Sequence, residues 1–168
     1  MDKEKIIADL DAVTVVLLDQ LEKFSNENFN TRPASEGWSG GDVGEHLLML
    51  SRNVNRNLRA RTFVPDRPAD EKLDIIVTVF GDYERKYNAP VQIIPSGTAK
   101  DKASIIKGLE TEHSRMKEVV LSEDLGVVCK GFNHPSLGAF TRLEWIYFII
   151  HHAYRHIHQM QNVLAEVA

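Results

Sequence analysis

Hydrophobic positions recur at spacings of three and four along most of the chain, which is the period of an α-helix with one buried face. The first apolar stripe runs from Ile6 to Phe24. Four further stripes follow, over 43–58, 71–87, 101–121 and 138–167. We find no internal repeat and no convincing strand alternation. The pattern therefore predicts four long helices and, over 71–87, a shorter one.

The stretches between these stripes are rich in proline and glycine, and proline inside a helix costs roughly 3 kcal/mol. Loops are predicted over 62–70, 88–100 and 123–137. Ser39 has an acid three residues further on, Asp42, which is the pattern of a helix N-cap. The predicted fold is all-α: a four-helix bundle with an additional short helix and long crossover loops, forming one domain over 1–168.

Composition narrows the functional classes. The 168 residues suit one domain, and 20 Lys and Arg against 24 Asp and Glu give a net charge of −4. That balance argues against a dedicated nucleic-acid binder. The longest apolar run, 145–150, is far shorter than the roughly 20 residues of a membrane helix. A lone Cys129 forms no internal disulfide. We expect a soluble, cytoplasmic protein without nucleic-acid or membrane partners.

Four of the seven histidines lie between 151 and 158. Residues four apart share a helix face, so both imidazoles can reach one ion. His152 and His156 are the only histidine pair with that spacing. His46 lies at the margin of the apolar stripe of the second helix. Packing of the second helix against the last one would therefore bring His46 close to His152 and His156 and complete a three-histidine set. Three imidazoles with one open position are typical of catalytic zinc, and nickel, iron or cobalt would also accept them.

The remaining histidines leave alternatives open. His113 falls on a buried stripe and is, on spacing alone, an alternative third ligand. His134 precedes a proline and is interpreted as a turn residue. His151 and His158 are expected on solvated or subunit-contact surfaces. Because an inward histidine is more often a satisfied core residue than a ligand, a bundle without metal stays an alternative.

Other polar and aromatic residues also have two readings. Four arginines lie along or just after the C-terminal half of the second helix: Arg52, Arg56, Arg59 and Arg61. They are interpreted as a solvated face, which suits the negative end of the helix dipole. The alternative is an anion site for a carboxylate-bearing thiol cofactor. Trp38 is interpreted as a hydrophobic staple. Gln159 is expected to satisfy backbone groups as a buried amide, with lining the site as the alternative. Glu45 and Glu144 are acid/base candidates, and no catalytic residue is assigned.

Three segments carry a recognisable pattern. They are Trp38-Ser39 with Val43-Gly44-Glu45-His46-Leu47; Asn88-Ala89-Pro90 with Pro95; and His134-Pro135-Ser136-Leu137-Gly138 before Thr141, Glu144-Trp145 and His152-x3-His156-x2-Gln159. In this order and spacing they resemble the DinB/YfiT superfamily over about residues 10–166. The last segment is similar to the family's His-Pro-x-x-Gly turn, which leads into its histidine helix.

The resemblance implies a four-helix bundle that binds a divalent metal, zinc or nickel, through His46, His152 and His156. It also implies a homodimer and a small-molecule substrate. Characterised relatives include S-transferases that use low-molecular-weight thiols such as bacillithiol or mycothiol, and a mycothiol-dependent isomerase. We therefore expect a metal-dependent enzyme that activates a thiol or water for S-transfer or hydrolysis. The alternative is a non-catalytic, metal-stabilised dimeric binding module.

Overall fold

Helices dominate the computed structural model, which describes residues 1–35 and 37–168. Within these residues the α-helices are α1 (Lys3–Glu22), α2 (Gly40–Leu58), α3 (Leu73–Gly81), α4 (Lys102–Ser122) and α5 (Arg142–Val167). The connections hold a 3₁₀ turn (Val91–Ile93) and the two-residue strands β1 (Thr62–Phe63) and β2 (Val128–Cys129). The predicted all-α fold, with four long helices and one short one, is confirmed.

The four long helices form a closed ring. Both α1 and α2 pack against α4 and α5, while α3 packs against α5. Each long helix turns its apolar stripe inward, as Leu17, Val54, Met116 and Ile146 illustrate, all fully buried. Burying one such side chain stabilises the fold by about 1.5–3 kcal/mol. The packing of α2 on α5 is the contact that positions the candidate site.

Helices α2 and α4 approach each other closely because glycine lies at their contact. A Cβ atom added at Gly44 would lie 2.8 Å from Cγ2 of Ile105. One added at Gly108 would lie 2.9 Å from the methyl carbons of Leu48. Any larger residue at Gly44 therefore has to displace a stiff, β-branched neighbour.

Capping side chains explain where α2 and α5 begin. The predicted N-cap of α2 is confirmed: Ser39 and Asp42 form a capping box. The predicted start of α5 at 138 is wrong by four residues, because Gly138 adopts φ +75° in a turn that a right-handed helix cannot contain. Thr141 is the N-cap instead, and Glu144 completes its capping box.

Two further expectations need correction. The short helix predicted over 71–87 ends at Gly81, so Tyr83 and Tyr87 lie outside it. Two loops predicted without strands contribute a small antiparallel ribbon, in which 62–63 pairs with 128–129. Strands of two residues are too short to produce a readable alternation. None of the described helices has the length and apolar character needed to cross a bilayer.

Candidate metal centre

Three imidazole rings meet where α2 packs against α5. His46 comes from α2, and His152 and His156 come from successive turns of α5. The Nε2 atom of His152 lies 3.1 Å from Nε2 of His46 and 3.0 Å from Nε2 of His156. The structure thus brings His46 together with the pair that spacing selects, His152 and His156. Their role as metal ligands stays a prediction.

Hydrogen bonds at Nδ1 define which nitrogens carry protons. Nδ1 of His46 lies 2.8 Å from the Ile93 carbonyl oxygen, in the 3₁₀ turn. A carbonyl can only accept, so this Nδ1 carries the proton and the neutral ring presents a bare lone pair at Nε2. Nδ1 of His156 similarly donates to Oε1 of Gln159 over 2.7 Å. Both rings therefore point Nε2 lone pairs toward His152.

This donor set fits a divalent cation. A proton on Nε2 of His152 can satisfy one of the two facing lone pairs, whereas a cation satisfies all three nitrogens. Zinc–nitrogen bonds of about 2.0–2.1 Å place tetrahedral ligands roughly 3.3 Å apart. The observed spacings of 3.0–3.1 Å are close to that value. The partners of both Nδ1 atoms are the kind of groups that orient metal-binding histidines.

Aromatic side chains form the walls of the centre. The Trp38 ring lies 4.9 Å from that of His46, centroid to centroid. Phe80 of α3 and Phe148 of α5 lie 5.4 Å and 5.1 Å from the His152 ring. Nδ1 of His152 is buried and has no hydrogen-bond partner among the described residues. Packing against Phe80 and Phe148, and not a hydrogen bond at Nδ1, therefore holds this side of the His152 ring.

Burial keeps these imidazoles neutral. Loss of hydration lowers the pKa of His46 and lowers that of His156 to about 3. Burial, followed by repulsion from the other two histidines, places the pKa of His152 well below its usual value. Neutral imidazole is the form that ligates metal ions, so protons compete little for this site near pH 7.

The other candidate histidines lie elsewhere. His113 of α4 bonds through Nδ1 to Oγ1 of Thr14 over 2.6 Å and does not join the cluster. Nδ1 of His134 accepts the backbone N–H groups of Ser136 and Leu137, as in the expected turn. His151 and His158 are half-buried on α5, where each ring stacks against a tyrosine.

The two acid/base candidates are bound to structural partners. Glu144 is fully buried and receives two hydrogen bonds from Arg67, of 2.7 and 2.8 Å. Burial raises the pKa of this carboxyl group, but the Arg67 bonds and backbone N–H donors outweigh it and hold the pKa below its usual value. Glu45 accepts the N–H of Ser96 and lies 3.3 Å from Nζ of Lys100.

Several contacts at the centre differ from or extend the expectations. The Gln159 amide bonds the His156 ring, which corrects the expectation that it satisfies backbone groups. Trp38, interpreted as a staple, also covers His46. The roles of Ile93 and Phe80 were not anticipated. Ile93 acts through its backbone carbonyl, which every residue has, so its side chain does not indicate this role. Phe80 follows the ordinary apolar pattern of a buried helix position.

Comparison with known proteins gives two results. The family model of the DinB superfamily matches residues 9–160, a range that contains all three histidines of the centre. The chain is also similar to "Uncharacterized protein YuaE" of Bacillus subtilis (strain 168). The two are 27% identical over 152 residues, which cover 89% of this chain and 91% of the relative.

Proposed function

Since the chain belongs to the DinB superfamily, whose members are metal-associated, we propose that it is a divalent-metal-dependent enzyme. His46, His152 and His156 would hold the ion, with zinc or nickel proposed first. The observation that carries this proposal is the convergence of three Nε2 atoms, two of which present bare lone pairs to the third.

The proposed chemistry is S-transfer from a low-molecular-weight thiol to a small electrophile, or hydrolysis of a small molecule. A bound divalent cation supplies Lewis acidity, which makes a thiol or a water acidic near neutral pH. The Ile93 carbonyl and the Gln159 amide orient the His46 and His156 rings, and burial keeps these rings neutral. Among the described residues no carboxylate or thiol joins the three histidines, which favours an open position for an exogenous ligand.

One observation favours the second candidate, a non-catalytic, metal-stabilised binding module. His46 is 2% exposed and His156 is 7% exposed, so much of the cluster is shielded from solvent. A sealed site suits a structural metal, whereas a catalytic site needs an accessible position. His152 is only half-buried, so the cluster is not fully enclosed.

Elemental analysis of the purified, tag-free protein tests the metal site. We expect about one metal ion per chain in the wild type and none in a His152→Ala/His156→Ala variant. A His151→Ala/His158→Ala variant is the matched control, because it also removes two histidines from α5 but leaves the cluster intact. Absence of metal from the wild type, even after incubation with zinc, nickel and manganese, would overturn the proposal.

Catalysis is tested separately on the metal-loaded protein. Cysteine, glutathione, bacillithiol and mycothiol are each offered with an aromatic electrophile, and thiol consumption is compared with that of the cluster variant. Metal-dependent turnover supports the enzyme. A metal-loaded protein that neither consumes thiol nor hydrolyses an ester supports the binding module.

We also propose that the protein is a cytoplasmic homodimer, on the family resemblance. Light scattering distinguishes a 19.0 kDa chain from a particle of twice that mass.

A further inference from the structure

A second concave region lies along α2 and α4, away from the three histidines. It is a groove of about 790 Å³ between the C-terminal half of α2 and the facing side of α4, and Gln92 of the 3₁₀ turn also lines it. A smaller hollow of about 360 Å³, which shares Arg52, Glu112 and Arg115, continues it along α4. At 1.5 Å rise per residue, Arg56 lies about 15 Å along α2 from His46.

The groove is strongly cationic on a protein of net charge −4. Five basic side chains line the groove and its continuation, and two carboxylates accompany them, which leaves an excess of three positive charges. The basic residues are Arg52, Arg56, Arg59, Lys107 and Arg115, and the acidic ones are Glu112 and Glu118. Three of the four arginines singled out in the sequence, Arg52, Arg56 and Arg59, thus line the same groove as the basic residues of α4.

A buried carboxylate organises the floor of the groove. Glu112 is 5% exposed and accepts hydrogen bonds from Nδ2 of Asn55 (2.7 Å) and Nη1 of Arg115 (2.9 Å). Arg59 in turn donates to Oδ1 of Asn55 and to the Arg115 carbonyl. These bonds tie α2 to α4 and hold two guanidinium groups in place, which reduces the entropy lost when an anion binds.

Other cations of the groove have charge left to offer. Arg56 bonds only the neutral amide of Asn53, and in the described ranges no carboxylate lies within 4.0 Å of it. The nearest carboxylate contact of Arg52 is 4.0 Å, to Glu112. Guanidinium groups present two parallel N–H donors, a geometry that matches carboxylate and phosphate oxygens.

We propose that this groove binds a small polyanion, an organic phosphate or a polycarboxylate, at a site separate from the three histidines. Its volume lies within the range of about 300–1,000 Å³ that is usual for small-molecule sites. A nucleic acid is disfavoured because the positive charge is confined to one groove, and the net charge of −4 would repel the rest of the polymer. The proposal does not depend on a metal or on catalysis.

Titration calorimetry on the full chain at constant ionic strength tests the proposal, with inorganic triphosphate and citrate as probes. We expect at least one probe to bind at a single site. An Arg52→Gln/Arg56→Gln variant should bind it at least tenfold more weakly. An Arg61→Gln/Lys86→Gln variant removes the same two charges from exposed positions outside the groove and should change affinity less than twofold. The preferred probe shows whether phosphate or carboxylate is recognised.

Three results would overturn the proposal. They are no binding of either probe to the wild type, an equal loss in both variants, and tighter binding of a single-stranded oligonucleotide through the same arginines. Thermal melting checks the fold of each variant. If the double variant is unstable, Arg56→Gln alone replaces it and should still weaken binding severalfold, because Arg56 forms no ion pair within the described residues whose loss would destabilise the fold.

Discussion

The hydrogen bond from His156 to Gln159 allows a quantitative test of how the centre is oriented. Gln159→Leu keeps the approximate size of the side chain but removes the acceptor that lies 2.7 Å from Nδ1. Losing such an orienting partner typically reduces metal affinity 10- to 100-fold, which corresponds to about 1.4–2.7 kcal/mol. Because Gln159 is half-buried and water can replace part of the bond, we expect the lower end, about tenfold.

Competition with a chromophoric chelator at neutral pH measures this change for zinc and for nickel. Gln161→Leu is the matched control: it makes the same chemical change two residues further along α5, at an exposed position. Gln159→Glu retains an oxygen acceptor and should hold the ion at least as tightly as the wild type.

Two outcomes would refute this reasoning about Gln159. An affinity within twofold of the wild type in Gln159→Leu would mean that the amide does not orient His156. An equal loss in Gln161→Leu would mean that the effect belongs to the helix and not to the hydrogen bond.

Three further predictions concern stability. Burial lowers the pKa of His113 to about 4, so between pH 6.5 and pH 4 the unfolded chain binds a proton at this residue that the folded chain does not. The free energy of unfolding, measured in urea titrations, should therefore fall by about 2 kcal/mol less in His113→Gln than in the wild type between pH 7.5 and pH 5. The same pH dependence in both proteins would contradict this. Gly44→Ala should cost about 1 kcal/mol net, because crowding against Ile105 exceeds the gain in helix propensity, and a double-mutant cycle with Ile105→Ala that proved additive would refute the contact. Arg67→Met should lower the free energy of unfolding by about 3 kcal/mol, because the buried Glu144 carboxylate loses two hydrogen bonds. Adding Glu144→Gln to that variant should recover part of the loss, because the charge is then removed. A loss under about 1 kcal/mol in thermal or urea unfolding would show that the ion pair does not stabilise the fold.

Local patterns in the sequence determined the long helices and two of the three histidines of the centre. Helical hydrophobic spacing depends on residues three and four apart, so it predicted the four long helices before any packing was known. The Ser39 cap is equally local, and it placed the start of α2. His152 and His156 share a face because one helical turn separates them, whatever the helix packs against. For the same reason their pairing could be predicted from spacing alone.

Contacts between distant segments decided the rest, because periodicity within one helix does not specify its neighbour. His46 joins the pair only through the packing of α2 on α5, and Ile93 reaches it from a turn 47 residues further along the chain. The α2 arginines form a groove only because α4 adds Arg115 opposite them. Helix pairing depends on shape and volume at contacts such as Gly44, where the absence of a side chain lets two helices meet. That information is distributed over residues far apart in sequence, so it becomes readable only in the folded chain.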